Sequence, residues 1–309
     1  IVAIVLSILS YIFLPKLVYF FGCTDSVYNY AIDYGRIIIL GAPFMIIYSS
    51  LSQLIRADGN PGYSMVLLVV GAIINIVLDI VFICLVHTGV EGAAFATVIS
   101  QAVSGVACVL YMKKKFPILK ISKEEWKFDS HWAKTLCSMG IPMGLQYSIT
   151  AIGTMMVQSA LNMLGSYAVA AFTAGSKIEQ IFTQAFVAQG TASATYNAQN
   201  IGAGKLERVR EGFRASHFIG IVYSVVVGSF LFFAGKYFAY LFISDNIEEV
   251  LPMVAIYVKC VALFFIPLYF VNVLRNGIQG MGYGLLPMMA GVAELVGRGS
   301  VALIAIHYH

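Results

Sequence analysis

Charge is what this sequence has least of. Asp, Glu, Lys and Arg make up 11% of its 309 residues, 60% are hydrophobic, and mean hydropathy is +0.85. A soluble domain carries about 25% charged and about 45–50% apolar residues, so a soluble enzyme and a disordered chain are excluded. Cysteine is also scarce. The five (Cys23, Cys84, Cys108, Cys137, Cys260) are odd in number, widely spaced and never in a C-x-x-C, which argues against a disulfide scaffold and a zinc site. No signal peptide is visible. The motifs of soluble enzymes fail as well. GAGK at 202–205 lacks a Ser or Thr after Lys205, and Gly280, Gly282 and Gly284 are followed by Leu285. Neither a phosphate-binding loop nor a dinucleotide fingerprint is met, and H-E-x-x-H and G-x-S-x-G are missing. The five histidines are scattered and form no metal pair. Alternating strands of about 10 residues are absent too, which argues against an outer-membrane barrel.

What is present is a series of long apolar runs separated by short polar loops. A transmembrane helix needs roughly 20 such residues. Nine spans are expected, near 1–22, 28–55, 63–87, 92–112, 132–164, 167–197, 209–243, 248–280 and 285–306. Pro142 and Pro267 fall inside spans and should kink them. Alternate loops share a side. One set holds Arg56, the lysines of 113–127, and Lys205, Arg208 and Arg210, while the other holds almost no basic residue. The positive-inside rule makes the basic set cytoplasmic. The expected protein is multi-pass in the cell membrane, with loops 113–131 and 198–208 in the cytoplasm. The net charge of +4 resides largely in these loops and suits anionic headgroups, not nucleic acid. The chain opens at Ile1, already inside an apolar run, and is expected to be a fragment of a longer protein.

An internal repeat supports that expectation. LSQLIRADGNPGYSM (51–65) aligns with LRNGIQGMGYGLLPM (274–288), pairing Leu51 with Leu274, Ile55 with Ile278, Gly59 with Gly282 and Met65 with Met288, an offset of 223 residues. Tyr34 and Tyr257 keep that offset, and Asp25 pairs with Asp245 across a three-residue gap. The unit is six spans, so both copies point the same way, as in parallel transporter repeats. The expected fold is all-α and polytopic. It has two six-helix lobes related by a parallel pseudo-two-fold, twelve helices in the parent and about nine here. Residues 1–112 are assigned to the N-lobe, 113–131 to a basic linker and 132–309 to the C-lobe.

Four acids lie inside spans: Asp33, Asp79, Glu179 and Glu294. Asp33 has Arg36 three residues on, and Glu294 has Arg298 at i+4, both at helical pairing distances. Lys177 stands two residues before Glu179, and i,i+2 residues do not face each other. Asp79 has no basic residue within a turn. Asn75 stands four residues earlier on the same helix face. Together they offer carboxylate and amide oxygens, suited to Na⁺ or to a proton. Gly153 and Ala160 share a face that either packs a helix closely or lines a cavity. Met155, Met156 and Met163 either pack or give a soft wall to apolar ligands.

Several stretches resemble the multidrug and toxic compound extrusion (MATE) family: IRADGNPGYSM, NIVLDIVFI and TGVEGAAFATVIS within 55–100, MGIPMGLQ (139–146), ATYNAQNIGAGKLERVREG (194–212) and GIQGMGYGLLPM (277–288). The resemblance runs through nearly the whole chain and places it on helices three to eleven of twelve. It implies a secondary antiporter, not an enzyme. Such a protein exports amphipathic or cationic drugs and metabolites in exchange for Na⁺ or H⁺ by alternating access, with no cofactor. It also implies a first-lobe cation site of Asp79 and Asn75 with Thr97, Tyr34 and the carbonyl of Ala93. Where some members carry second-lobe acids, this sequence reads Thr150 and Leu268, so coupling is expected to rest on Asp79. Gln146, Met155 and Met156 are candidates for the wall of a substrate site between the lobes. A monomer is expected. The rival reading is a flippase for lipid-linked saccharides, which wants a basic cavity. The spans hold few unpaired basic residues, Arg275 being the main exception. An intramembrane enzyme would need convergent acids, a metal cluster or an activated nucleophile, none of which is evident.

Overall fold

A computed structural model describes residues 2–20, 23, 25–115, 129–243 and 247–307. Among them there are helices and no strands. The order is α1 (Val2–Phe20), α2 (Asp25–Ala57), α3 (Pro61–Ile80), α4 (Gly89–Lys115), α5 (Ser130–Leu164), α6 (Ser166–Gly202), α7 (Leu206–Ala234), α8 (Ile247–Leu263), α9 (Phe265–Gly280) and α10 (Leu285–His307). A π-helical turn, Val81–Leu85, continues α3, and a 3-10 segment, Gly235–Leu241, continues α7. The chain divides into two compact units, Ile1–Lys127 and Phe128–His309. Of the basic linker expected at 113–131, residues 113–115 close α4 and 130–131 open α5, while 116–128 lie outside the described residues.

Five stretches are individually long and apolar enough to cross a bilayer: Val27–Ala57, Pro61–Leu85, Gly89–Lys115, Leu206–Leu241 and Leu285–His307. The expected eighth span is not one helix. It is α8 and α9, bent by 58°. Pro267 explains the break. It lacks an N–H, and its ring clashes with the carbonyl four residues back, which is that of Leu263, the last residue of α8. Pro142 is accommodated within the 35-residue α5. α5 and α6 dilute their apolar residues with Gly, Ser, Thr, Asn and Gln. In lipid, where apolar surface gains little from leaving its solvent, such small residues let helices approach closely. Accordingly α5 packs along α10, and α6 along α8 and α9. At Gly280 a Cβ would collide with the backbone of Ala194, so α6 and α9 touch main chain to main chain.

The second unit has an aromatic core. The Phe186 ring lies 4.7 Å from Phe265 and 5.6 Å from Tyr269. Buried polar tips find backbone acceptors: Tyr269 Oη donates to the Ser216 carbonyl at 2.9 Å and Tyr223 Oη to that of Phe182 at 2.8 Å. The first unit is held by α2, α3 and α4 around Ile55, Leu67 and Cys108. Ser52 and Ser64 share a hydrogen bond at 2.7 Å, Tyr63 stacks on Tyr111 at 3.5 Å, and Asn60 Nδ2 donates to Tyr111 Oη at 2.7 Å.

The sequence repeat has a structural counterpart. At the end of α2, Gly59 has φ +92° and donates to the Arg56 carbonyl at 3.1 Å, and Asn60 N–H reaches the Ile55 carbonyl at 3.3 Å. At the end of α9, Gly282 has φ +93° and donates to Gln279 at 2.9 Å, and Tyr283 N–H reaches Ile278 at 3.3 Å. Both termini close with the 6→1 bond of a Schellman cap, which wants glycine in the left-handed region. All four residues of one cap map onto the other at the offset of 223 read from sequence. Asp245, the proposed partner of Asp25, lies outside the described residues.

Candidate functional site

α3 begins with Pro61 in its first turn, and Asn60 Oδ1 caps it by accepting from Tyr63 N–H at 3.3 Å. Proline is preorganised for that position and Asn for the cap. The helix then runs through an apolar sequence in which Asn75 and Asp79 are the hydrogen-bonding exceptions after Ser64. One turn apart, both are half-buried. Asn75 Nδ2 and Asp79 Oδ1 are shut away from solvent, and neither has a hydrogen-bond partner among the described residues. Orphaned buried polar atoms are costly and mark a place where a ligand can repay the cost. Amide nitrogen and oxygen exchange by a flip of the side chain, so Asn75 can present either. Asp79 sits immediately before Ile80 and the π turn, an irregularity that recurs at functional sites.

On α4, Thr97 Oγ1 donates to the Ala93 carbonyl at 2.9 Å. Within α4 the same carbonyl also accepts the Thr97 backbone N–H, so both of its lone pairs are engaged. Asn75 and Thr97 line one pocket of about 250 Å³ together with Tyr48, Ser100, Gln101 and Ser104. Tyr48 and Gln101 also line a neighbouring pocket of about 420 Å³, with Ser52, Gln53 and Arg56. A polar track thus runs through the first unit between α2, α3 and α4. Asp79, Ala93 and Tyr34 are not among the lining residues of either pocket. Tyr34, on α2, is 37% exposed. The structure therefore joins Asn75 with Thr97, and Thr97 with Ala93.

In the second unit Gln146 is buried, and its Oε1 accepts from Gln279 Nε2 at 2.9 Å, tying α5 to α9. Met156 turns its methyl toward Gly299 of α10, and Met155 is half-buried. Gly153 and Ala160 are both buried, and a Cβ at Gly153 would meet Arg298 Cδ at 3.1 Å, so this face packs against α10.

The intramembrane acids resolve individually. Asp33 pairs with Arg36 at 3.7 Å. Glu294 pairs with Arg298 at 2.6 Å, as expected, and also with Arg275 at 3.0 Å. Arg275, expected to be unpaired, is thus partnered across helices, because α9 folds back against α10 through the Gly282 turn. Arg298 also donates to Thr154 Oγ1 at 3.1 Å. Lys177 turns from Glu179 to the Phe242 ring, 5.7 Å from its centroid. Glu179 instead accepts a hydrogen bond from Tyr257 Oη at 2.5 Å, with Ser176 Oγ 3.4 Å from the same hydroxyl. Among the described residues no group of three or more His, Cys, Asp or Glu could hold a metal ion.

The MatE family model matches residues 1–81 and 142–302, most of the chain. The chain belongs to the MatE family. This MatE chain is 30% identical over 258 residues to the probable multidrug resistance protein YpnP of Bacillus subtilis, spanning 82% of the chain and 56% of YpnP. It is 24% identical over 296 residues to the FAD transporter of Shewanella oneidensis, spanning 94% of the chain and 65% of that protein. Its fold matches the outward-facing conformation of a multidrug resistance MATE family transporter with a TM-score of 0.87 at 19% identity, covering 99% of this chain and 74% of that one. The chain therefore spans roughly half to two thirds of these curated relatives. The all-α, polytopic membrane fold expected from sequence is the fold of this MatE chain.

The sequence reading missed the π turn after Asp79, the pocket residues Ser100, Gln101 and Ser104, and the Glu179–Tyr257 contact. The serines and Gln101 were visible as polar positions of α4 spaced three to four apart, on the face that carries Thr97.

Proposed function

We propose that the protein carrying this sequence is a secondary antiporter of the cell membrane. It exports amphipathic or cationic drugs and metabolites in exchange for Na⁺ or H⁺. The observation that carries the coupling part is the pair of orphaned atoms, Asn75 Nδ2 and Asp79 Oδ1, one turn apart in an apolar helix. An ionised Asp in mid-membrane costs about 2.5–3.5 kcal/mol on insertion scales. A cation or proton at Asp79 removes that charge. In this reading Thr97 on the neighbouring helix supplies a hydroxyl oxygen, and the Ala93 carbonyl, once released by the Thr97 hydroxyl, and Tyr34 of α2 join as further ligands when the ion binds. Binding of ion and drug to different conformations couples their fluxes, since each ligand shifts the population toward the state it prefers. The name of YpnP, a probable multidrug resistance protein, supports a drug substrate, whereas that of the FAD transporter does not. Pairing of Arg275 with Glu294 removes the unpaired base that a pyrophosphate-binding flippase would use.

The test follows ethidium efflux from drug-sensitive cells lacking their own pumps and expressing the protein as its gene encodes it. The gradient, Na⁺ alone or pH alone, that supports export names the ion. Asp79→Asn should abolish export at unchanged expression. Undiminished export by Asp79→Asn would remove Asp79 from coupling, and no export by wild type under either gradient would sink the antiporter reading.

A further inference from the structure

Two lysines of the second unit have no place in the coupling scheme. Lys236 is the second residue of the 3-10 segment that continues α7, and Lys259 lies on α8, 12 residues after Ile247. Both are exposed, and both line one pocket of about 280 Å³, with Phe232, Phe233, Leu231 and Ala255. Neither forms an ion pair with a carboxylate among the described residues. Each has only a ring beneath it: Lys259 Nζ stands 5.8 Å from the Phe232 centroid and Lys236 Nζ 5.1 Å from that of Tyr237. Phe233 is 76% exposed beside them.

An unpaired lysine beside the exposed apolar surface of a spanning helix calls for a counter-charge. Cation–π contact lessens the cost but leaves the charge in place. The pocket therefore joins two uncompensated ammonium groups to an exposed apolar wall, on the flank of a hairpin that spans the bilayer. A phosphodiester with acyl chains attached matches both halves. A free anion matches the lysines alone. We propose that the pocket between α7 and α8 binds the headgroup of an anionic phospholipid, with Lys236 and Lys259 on the phosphate and Phe232 and Phe233 against the chains.

The test is native mass spectrometry of the purified protein, as its gene encodes it, with phosphatidylglycerol or phosphatidylcholine added to the detergent. Wild type should retain phosphatidylglycerol in preference to phosphatidylcholine. Lys236→Gln with Lys259→Gln should lower that retention by up to about thirtyfold, at up to about fivefold per exposed ion pair. Lys236→Arg with Lys259→Arg should keep it, and so should Lys113→Gln with Lys114→Gln at the far end of α4. The arginine pair also keeps the site testable if the glutamine pair does not fold, since its loss of retention would count against a phosphate site. Equal retention of the two lipids by wild type, or unchanged retention by the glutamine pair, would overturn the proposal. Displacement of the lipid by inorganic phosphate, but not by chloride at matched ionic strength, would also overturn it in favour of a free-anion site.

Discussion

Glu294 of α10 is shared: its Oε1 is held by Arg298 one turn along the same helix, and its Oε2 by Arg275 across from α9. Two guanidinium groups thus depend on one carboxylate. Removing that carboxylate leaves both unpaired and facing each other, whereas removing either arginine leaves a neutral pair. Glu294→Gln should therefore lower the melting temperature more than Arg275→Gln or Arg298→Gln. The loss should fall below the about 3–5 kcal/mol of a fully buried broken pair, because the Glu294 side chain keeps 27% of its surface exposed and Arg298 38%. Thermal unfolding of the three variants in one detergent ranks them.

The twin caps invite a matched pair of substitutions. Nothing lies within 4 Å of a Cβ built on Gly59 or Gly282, so space is not their constraint. Their positive φ is. Alanine in that conformation costs about 1–2 kcal/mol. Gly59→Ala and Gly282→Ala should each destabilise by about that amount. Gly62→Ala, in the first turn of α3 and equally unobstructed, should be neutral or stabilising. A denaturation series on the three variants decides between backbone strain and a general intolerance of the turn.

At the polar track, Thr97→Val removes a hydroxyl while keeping the shape of the side chain. If that hydroxyl helps hold the coupling ion, the ion concentration for half-maximal efflux should rise about tenfold, the equivalent of about 1.4 kcal/mol for a hydrogen-bonding group facing charge. Ser104→Ala, seven residues along α4 in the same pocket and against Gly71, should leave that concentration unchanged. Efflux titrated against Na⁺ or H⁺ reads both.

Tyr111 makes a ring contact and a hydrogen bond that can be separated. Tyr111→Phe keeps the stack on Tyr63 and loses the bond from Asn60, which should cost about 0.5–1.5 kcal/mol. Tyr111→Ala loses both and should cost more, by about 0.5–1.5 kcal/mol for the ring pair beyond its buried area. Melting curves of the two variants measure the difference.

How much of this was legible in the sequence depends on how local the cause is. Six of the nine expected spans, the bent α8–α9 pair counted as one, are long and apolar enough to cross a bilayer, and these were legible because hydropathy is summed over a whole helix. The repeat was legible because only glycine suits the position that Gly59 and Gly282 occupy. Asn75 and Asp79 were readable as a pair from their spacing alone, and the structure adds that two of their atoms have no partner among the described residues. The break at Phe264 was placed inside a single span because Pro267 acts backward on Leu263, so the helix ends before the residue that ends it. The partner of Arg275 could not be read from spacing, since Glu294 is 19 positions away and meets it only after a turn. Lys236 and Lys259, inside the expected spans 209–243 and 248–280, could not be read as a pair, because their shared pocket exists only once α7 and α8 lie side by side.

The π turn at Val81–Leu85 changes how the end of the third helix must be counted. An α-helix advances about 100° per residue, so a residue accommodated without extra rise rotates everything beyond it by about that angle. Upstream, Asn75 and Asp79 share one meridian. Within the turn, Phe82 and Leu85 no longer fall on the stripe that a 3.6-residue wheel drawn from Pro61 would assign them. A helical-wheel comparison with a relative lacking the wider turn would therefore pair the wrong side chains after Ile80, while every residue before it still matched.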